Sequence, residues 1–248
     1  MSDLITRLVK EESQRQVGRR VVKVVDSPDS VVSVKRQDAL VAGLVAEGSE
    51  VPSDHSKDVS VAVVTSKIGV VVDIPLEWLE DNNYEFGSEK LRAGIKSVYR
   101  REDELIFDEL IGKATNTFQS LNAGEGDAPG LALVDVTRAM KYVEDEGYPA
   151  DRIIINPQQA MEMRNIEVMA TLERRAENYE VEILVSNQVP SGTVVVTNSV
   201  AACLLVVRRP LTVRRNENNC FEVLQYVVGE RVAPVVVRPN LVCTVTGC

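Results

Sequence analysis

Between Val31 and Ile74 the chain reads as a long hairpin with no core of its own. The first strand candidate runs from about Val31 to Val45. The second begins at Val59, where Val59, Val61 and Val63 alternate with Ser60, Ala62 and Val64. Period-two alternation marks a half-covered strand. The stretch between them, from Glu47 to Asp58, is polar and rich in turn formers. A hairpin of this kind is marginal in water unless another surface supports it. The chain therefore has to fold so that something lies against this element.

The flanking segments are read in the same way. Leu4, Ile5, Leu8 and Val9 share one face of a helix over residues 3–16, capped by Ser2 or Asp3 and ended by Gly18. With no second apolar face nearby, this helix is expected to pack on something else, such as another subunit. Val21–Val25 reads as an extended arm. Ile68–Ile74 is a nearly continuous apolar strand stopped by Pro75. Ser88 is placed to cap the longest helix, residues 88–114, with Leu91, Ile95, Val98, Leu105 and Ile106 at helical spacing and Glu102 interrupting the stripe. One narrow stripe predicts a helix lying along a surface.

Farther on, Asn122–Gly130 is a loop, Asp135 caps a helix ended by Gly147, and Ile153–Ile155 is a buried strand. Asn156 caps another helix with Pro157 at its first position. Strands follow at Val181–Val185, Thr193–Thr197, Cys203–Val207, Phe221–Val228, Val232–Val237 and Leu241–Val245. The mixed order predicts an α+β fold.

Charge is unevenly placed. The chain of 248 residues has a formal net charge of −9. Yet residues 1–25 set Arg7, Lys10, Arg15, Arg19, Arg20 and Lys23 against Asp3, Glu11 and Glu12, and Arg208–Arg215 has four arginines and no acid. An acidic body excludes a broad duplex-binding face. A basic arm on such a body suits a like copy or an interior polyanion, or is a solvated helix face. No apolar run approaches the ~18 residues of a membrane span, and the charged N-terminus lacks a signal peptide's apolar core. Folding in a cytoplasm is expected.

A search for chemistry finds little. The four cysteines, Cys203, Cys220, Cys243 and Cys248, have no zinc-like spacing. Three of them sit in apolar, strand-like surroundings, whereas Cys248 is terminal, expected to be mobile, and the candidate for a bond between chains. The sole histidine, His55, lies in the loop tip, so a His-dependent nucleophile is not expected. The glycines at 124, 126 and 130 lack the Lys-Ser/Thr of a phosphate loop. Glu102-Asp103-Glu104 reads as solvated charge on a surface helix. Glu47, Glu50, Asp54 and Asp58 are not spaced as a calcium loop. No catalytic residue, metal or cofactor is expected.

Several passages, in order, resemble the major capsid proteins of tailed double-stranded DNA viruses, whose Hong Kong 97-type fold is shared with encapsulins. Ala46-Glu47-Gly48-Ser49-Glu50-Val51-Pro52 resembles the extended-loop signature. Val59–Ile74 and Pro75-Leu76-Glu77-Trp78-Leu79-Glu80-Asp81 resemble the returning strand and the turn before the spine helix. Arg100-Arg101-Glu102-Asp103 with Leu110-Ile111-Gly112, Val185–Pro190, Arg208–Arg215, Gly229-Glu230-Arg231 and Arg238-Pro239 extend the likeness over nearly the whole chain. Each motif is short; their collinearity carries the resemblance.

The resemblance implies an N-terminal arm (1–30), an extended loop (31–74), a peripheral domain with the spine helix (75–130 and 208–238) and an axial domain (131–207 and 239–248). It implies a non-enzymatic shell protein that self-assembles into pentamers and hexamers in the host cytoplasm, encloses double-stranded DNA as a virion capsid and needs no membrane. Glu47, Gly48, Ser49, Glu50, Val51 and Pro52 would contact a neighbouring subunit. Separate scaffolding, portal or decoration proteins are compatible partners, and no attached scaffolding domain is visible before the arm. Some relatives join subunits by a Lys–Asn isopeptide bond promoted by a Glu. The positions matching that Asn and Glu hold Glu222 and Gly229 here, so no such bond is expected. An encapsulin-like shell around a cargo enzyme and a soluble α+β enzyme are the alternatives.

Overall fold

The computed structural model describes residues 2–36, 59–77, 84–121, 133–164, 181–218 and 223–248. Its organising element is a helix of 30 residues, Tyr84–Lys113, about 45 Å long. This helix begins four residues before the expected Ser88. Helices α1 (Ser2–Arg15) and α2 (Gly18–Val21) precede it, so it is named α3 here. Positions 91, 95, 98, 99, 102, 103, 106, 107 and 110 of α3 are all buried, the three-and-four spacing of one helical face.

That single face serves two cores. Leu91, Ile95, Val98 and Tyr99 pack with Val72, Ile74, Leu224, Tyr226 and Val228. Ile106, Phe107 and Leu110 join a larger cluster with Val136, Ile154, Val195, Leu205 and Val245. The first core lies under a four-stranded sheet ordered β1-β9-β10-β4, the second under a five-stranded sheet ordered β5-β11-β8-β6-β7. The strands of the first sheet are β1 (Lys23–Asp26), β4 (Ser66–Pro75), β9 (Cys203–Asn218) and β10 (Val223–Val236). Those of the second are β5 (Asn116–Gln119), β6 (Arg152–Ile155), β7 (Glu182–Val185), β8 (Thr193–Thr197) and β11 (Val242–Thr246). Strands β2 (Val31–Arg36) and β3 (Val59–Val64) pair antiparallel in a hairpin. Both larger sheets mix parallel and antiparallel pairs, so the class is α+β.

Strands β9 and β10 form a longer ribbon than the sequence suggests. The two expected strands Phe221–Val228 and Val232–Val237 are one element, because register shifts beside Arg231 absorb the break. Gly229 stands opposite Gly69 on β4. A Cβ at Gly229 would sit 2.9 Å from the Ile68 carbonyl oxygen, so the close strand approach requires glycine there.

Helix α4 (Leu133–Glu144) starts before Asp135, which therefore does not cap it. The Asp135 carboxylate instead accepts a 2.6 Å hydrogen bond from Ser120 Oγ and one at 3.3 Å from the Leu121 amide, tying the end of β5 to α4. Asn156 does cap α5 (Pro157–Arg164): the Gln158 amide donates to Asn156 Oδ1 at 2.9 Å. No helix among the described residues is long and apolar enough to cross a membrane.

Candidate functional site: a buried charge cluster under the N-terminal arm

The N-terminal segment is docked on its own chain rather than left for a partner. Leu8 of α1 is buried in the first core, and Val21 and Val22 are buried in the second. Of the expected extended arm Val21–Val25, Val21 ends α2 and residues 23–25 lie in the edge strand β1, which pairs parallel with β9. Its arginines are engaged. Arg7 pairs with Glu11, and Arg20 pairs with Glu182. Arg152 Nε donates to the Arg20 carbonyl at 2.9 Å and lies 3.2 Å from Glu182.

The centre of this docking lies at the junction of the two cores. Glu102 and Glu230 are both 0% exposed. Arg19 enters between them. Its Nε and one terminal nitrogen each donate to Glu102 at 2.7 Å, a two-toothed contact, and the same terminal nitrogen reaches Glu230 at 3.3 Å. Gln16 Nε2 donates to Glu102 at 2.8 Å. Asp103, one residue along α3, accepts the Gly18 amide at 2.9 Å and the Val17 amide at 3.3 Å. Its carboxylate thereby satisfies free amides at the start of α2. The Arg19 guanidinium also lies 5.7 Å from the centre of the Tyr99 ring, within cation–π range.

Two carboxylates and one cation cannot all be charged cheaply in a dry site. Burial, and then the neighbouring Glu102, push Glu230 up to about 9. Burial thus favours the neutral form of Glu230 near pH 7. Its Oε1 is buried without a hydrogen-bond partner. Burial pushes Asp103 up to about 6, against the opposing pull of the Gly18 amide. Burial is the largest influence on Arg19 and opposes its charge, but the hydrogen bond with Glu102 and the attraction of the surrounding acidic groups together outweigh it and raise its pKa. The cluster contains no nucleophile beside a base, and its geometry is that of a clamp.

This corrects the reading of Glu102-Asp103-Glu104 as solvated. Glu102 and Asp103 occupy the buried stripe of α3, while Glu104 pairs with Arg101 nearer the surface. The sequence signal was present, since Glu102 falls on the apolar spacing, but its partner Arg19 is 83 residues away.

Asp103 and Gly18 also make a test of the docking. A Cβ on Gly18 would collide with Asp103 Oδ1. Gly18→Val is expected to cost about 1–3 kcal/mol and to loosen the arm. Amide exchange over residues 2–22 should accelerate while the five-stranded sheet keeps its protection.

The other residues singled out are placed as follows. Glu47, Gly48, Ser49, Glu50, Val51 and Pro52 lie outside the described residues, as do His55, the glycine-rich stretch 124–130, Cys220 and Glu222. Cys203 and Cys243 are fully buried in β9 and β11, and burial pushes each thiol up to about 12. Cys248 is not the mobile end that was expected. It is 8% exposed, and its amide donates to the Gly192 carbonyl at 3.1 Å, because the terminal residues continue the packing of β11. A bond from Cys248 to another chain would require these residues to lift out. Among the described residues no three His, Cys, Asp or Glu side chains gather as a metal site.

No protein-family model matches the sequence, and no curated protein matches it. Solved structures do. A virus-like particle from Pyrococcus furiosus superposes with a TM-score of 0.77 at 14% identity, covering 98% of each chain. Mycobacterium phage Bobi gives 0.73 at 16% identity, over 92% of this chain and 89% of the other. The holo-SrpI encapsulin complex from Synechococcus elongatus gives 0.66 at 13% identity, over 94% and 89%. These neighbours are capsid and encapsulin shells, and the likenesses cover 92–98% of this chain. With that coverage, this α+β chain has the Hong Kong 97-type capsid fold.

Proposed function

We propose that the protein is the major capsid protein of a tailed-virus-type particle, self-assembling into pentamers and hexamers of an icosahedral shell around double-stranded DNA. The observation that carries this reading is the near end-to-end match to a virus-like particle subunit of almost equal length. On this reading the four-stranded sheet with α3 forms the peripheral part and the five-stranded sheet the axial part. Residues 1–30 form the arm, here clamped by Arg19. Residues 31–74 hold the loop, whose returning strand β4 is also the edge of the four-stranded sheet. The role is structural and not catalytic. Separate scaffolding, portal or decoration proteins fit the same reading. Assembly in a host cytoplasm follows from it.

An encapsulin-like shell is a second reading, supported by the likeness to the encapsulin complex. Expression, size-exclusion chromatography and negative-stain microscopy test both. Closed particles holding nuclease-resistant DNA are expected. Closed particles holding a co-purifying cargo protein and no DNA would favour the second reading. A stable monomer or dimer with enzymatic turnover would overturn both.

A further inference from the structure

Beside the clamp, where the arm, α3 and the five-stranded sheet meet, the surface opens into a cleft of about 500 Å³. That volume falls in the range of small-molecule sites, roughly 300–1,000 Å³. Three parts of one chain wall it. Glu12, Arg15 and Gln16 come from the end of α1, Lys96 and Arg100 from α3, and Ser186 and Asn187 from the loop after β7.

The charges of these walls do not balance. Glu12 lies 3.3 Å from Arg15, and Asp103, which also borders the cleft, already accepts the Gly18 and Val17 amides. Lys96 and Arg100 are left over. They stand one turn apart on α3, where like charges repel. Among the described residues neither has an acidic partner. Arg92 and Arg101 of the same helix, by contrast, meet Glu11 and Glu104.

The rest of the lining is rich in hydrogen-bonding groups. Gln16 is 4% exposed, and its Oε1 is buried without a donor. Ser186 Oγ accepts the Gln188 amide at 3.3 Å, which leaves its hydroxyl proton to donate. Asn187 Oδ1 accepts from Gln188 Nε2 at 2.9 Å, and among the described residues its own amide nitrogen is unengaged. Tyr99, the aromatic residue of the wall, is buried and holds Arg19 against its ring, so it offers little face on which a base could stack. Two spare cations suit a phosphate, and the amide and hydroxyl groups suit sugar hydroxyls.

We propose that this cleft binds a small phosphorylated sugar or polyol, with Lys96 and Arg100 on the phosphate and Gln16, Ser186 and Asn187 on the hydroxyl groups. A phosphate monoester matches the two cations and replaces their repulsion with charge-assisted hydrogen bonds. Its hydroxyls supply the donor that Gln16 Oε1 lacks and acceptors for Ser186 and Asn187. The ligand touches the arm, α3 and the loop after β7 at once, so its binding favours the docked arm by mass action. The inference stands apart from the shell reading, because every wall comes from one copy.

Calorimetric titration of the full chain, in the assembly state in which it is purified, provides the test. The probes are glucose 6-phosphate, ribose 5-phosphate and glycerol 3-phosphate. For ligands of this size a Kd on the order of 1 mM or tighter is expected with at least one of them. Combining Lys96→Ala with Arg100→Ala should weaken that binding at least about tenfold, and Asn187→Ala about threefold. All three side chains are exposed, so the variants should melt like the wild type. Amide exchange with the ligand bound should slow over residues 12–17 and 185–188. Inorganic phosphate should bind more weakly than the sugar phosphate, since it cannot reach both ends of the cleft. Absence of binding by all three probes up to about 10 mM would overturn the proposal. So would unchanged affinity in the Lys96 and Arg100 variant, or slowed exchange confined to other segments. Inorganic phosphate binding as tightly as the best probe would reduce the cleft to a simple anion site and overturn the sugar assignment. Oligothymidylate binding through the same two cations, without sugar phosphate binding, would assign the cleft to a nucleic-acid strand and overturn it as well.

Discussion

Replacing Arg19 with alanine should destabilise the folded chain by about 3–5 kcal/mol, the cost of leaving a buried charge without its partner. Arg19 is the cation that lies between Glu102 and Glu230, both fully buried. Its loss leaves Gln16 as the remaining side-chain donor to Glu102 among the described residues. For a chain of this size the loss corresponds to a fall in Tm on the order of 10 °C. Urea unfolding of the unassembled subunit measures it. Arg19→Lys should recover part of the loss, because an ammonium restores the charge but not the two-toothed contact. A double-mutant cycle of Arg19→Ala with Glu102→Gln should show strong coupling. Independent, additive effects would mean that the cluster does not hold the arm. The consequence for assembly is direct: with the clamp open, α1 and α2 lose their seat on α3.

Stability should fall as pH rises, and Glu230 should account for much of the slope. Its folded pKa, about 9, lies above its unfolded value. Above pH ~4.5 the unfolded chain gives up this proton while the folded chain keeps it. The contribution is therefore fully present below about 4.5 and is lost progressively up to about 9, at no more than about 1.4 kcal/mol per unit. Asp103, raised to about 6, adds a loss of the same sign between about 4 and 6. Facing groups are Arg19, Gln16, Glu102 and Tyr99, and the Tyr99 hydroxyl is itself raised by burial. Glu230→Gln mimics the neutral form and cannot ionise. The variant should match the wild type in acid and exceed it near pH 9. Melts from pH 5 to pH 10 decide this; parallel curves for the two proteins would show that Glu230 is ionised in the fold.

The local elements were legible because they rest on short-range physics. Alternating valines mark β3, Asn156-Pro157 marks the start of α5, and the spacing of Leu91, Ile95 and Val98 marks α3. The order of short motifs also carried the fold family. What misled was the assumption that charge on a helix is solvated. Glu102 and Asp103 look like surface residues when only their neighbours in sequence are considered. Asp135 likewise looks like a cap, yet it accepts from Ser120 and Leu121 beyond the end of β5.

By itself the sequence determined the hairpin, the long amphipathic helix, the strand-rich C-terminus and the separation of charge between arm, acidic loop and arginine run. Each follows from periodicity or composition within a few turns of chain. The tertiary structure alone decided that the arm folds onto its own subunit, that one helical face serves two cores, and that Arg19 meets Glu102 and Glu230. It also set Gly229 of β10 opposite Gly69 of β4. The physical reason is the same in each case. A buried ion pair or a cross-strand pair depends on which distant residues share a dry site or a register, and register is set by long-range pairing that no local pattern encodes.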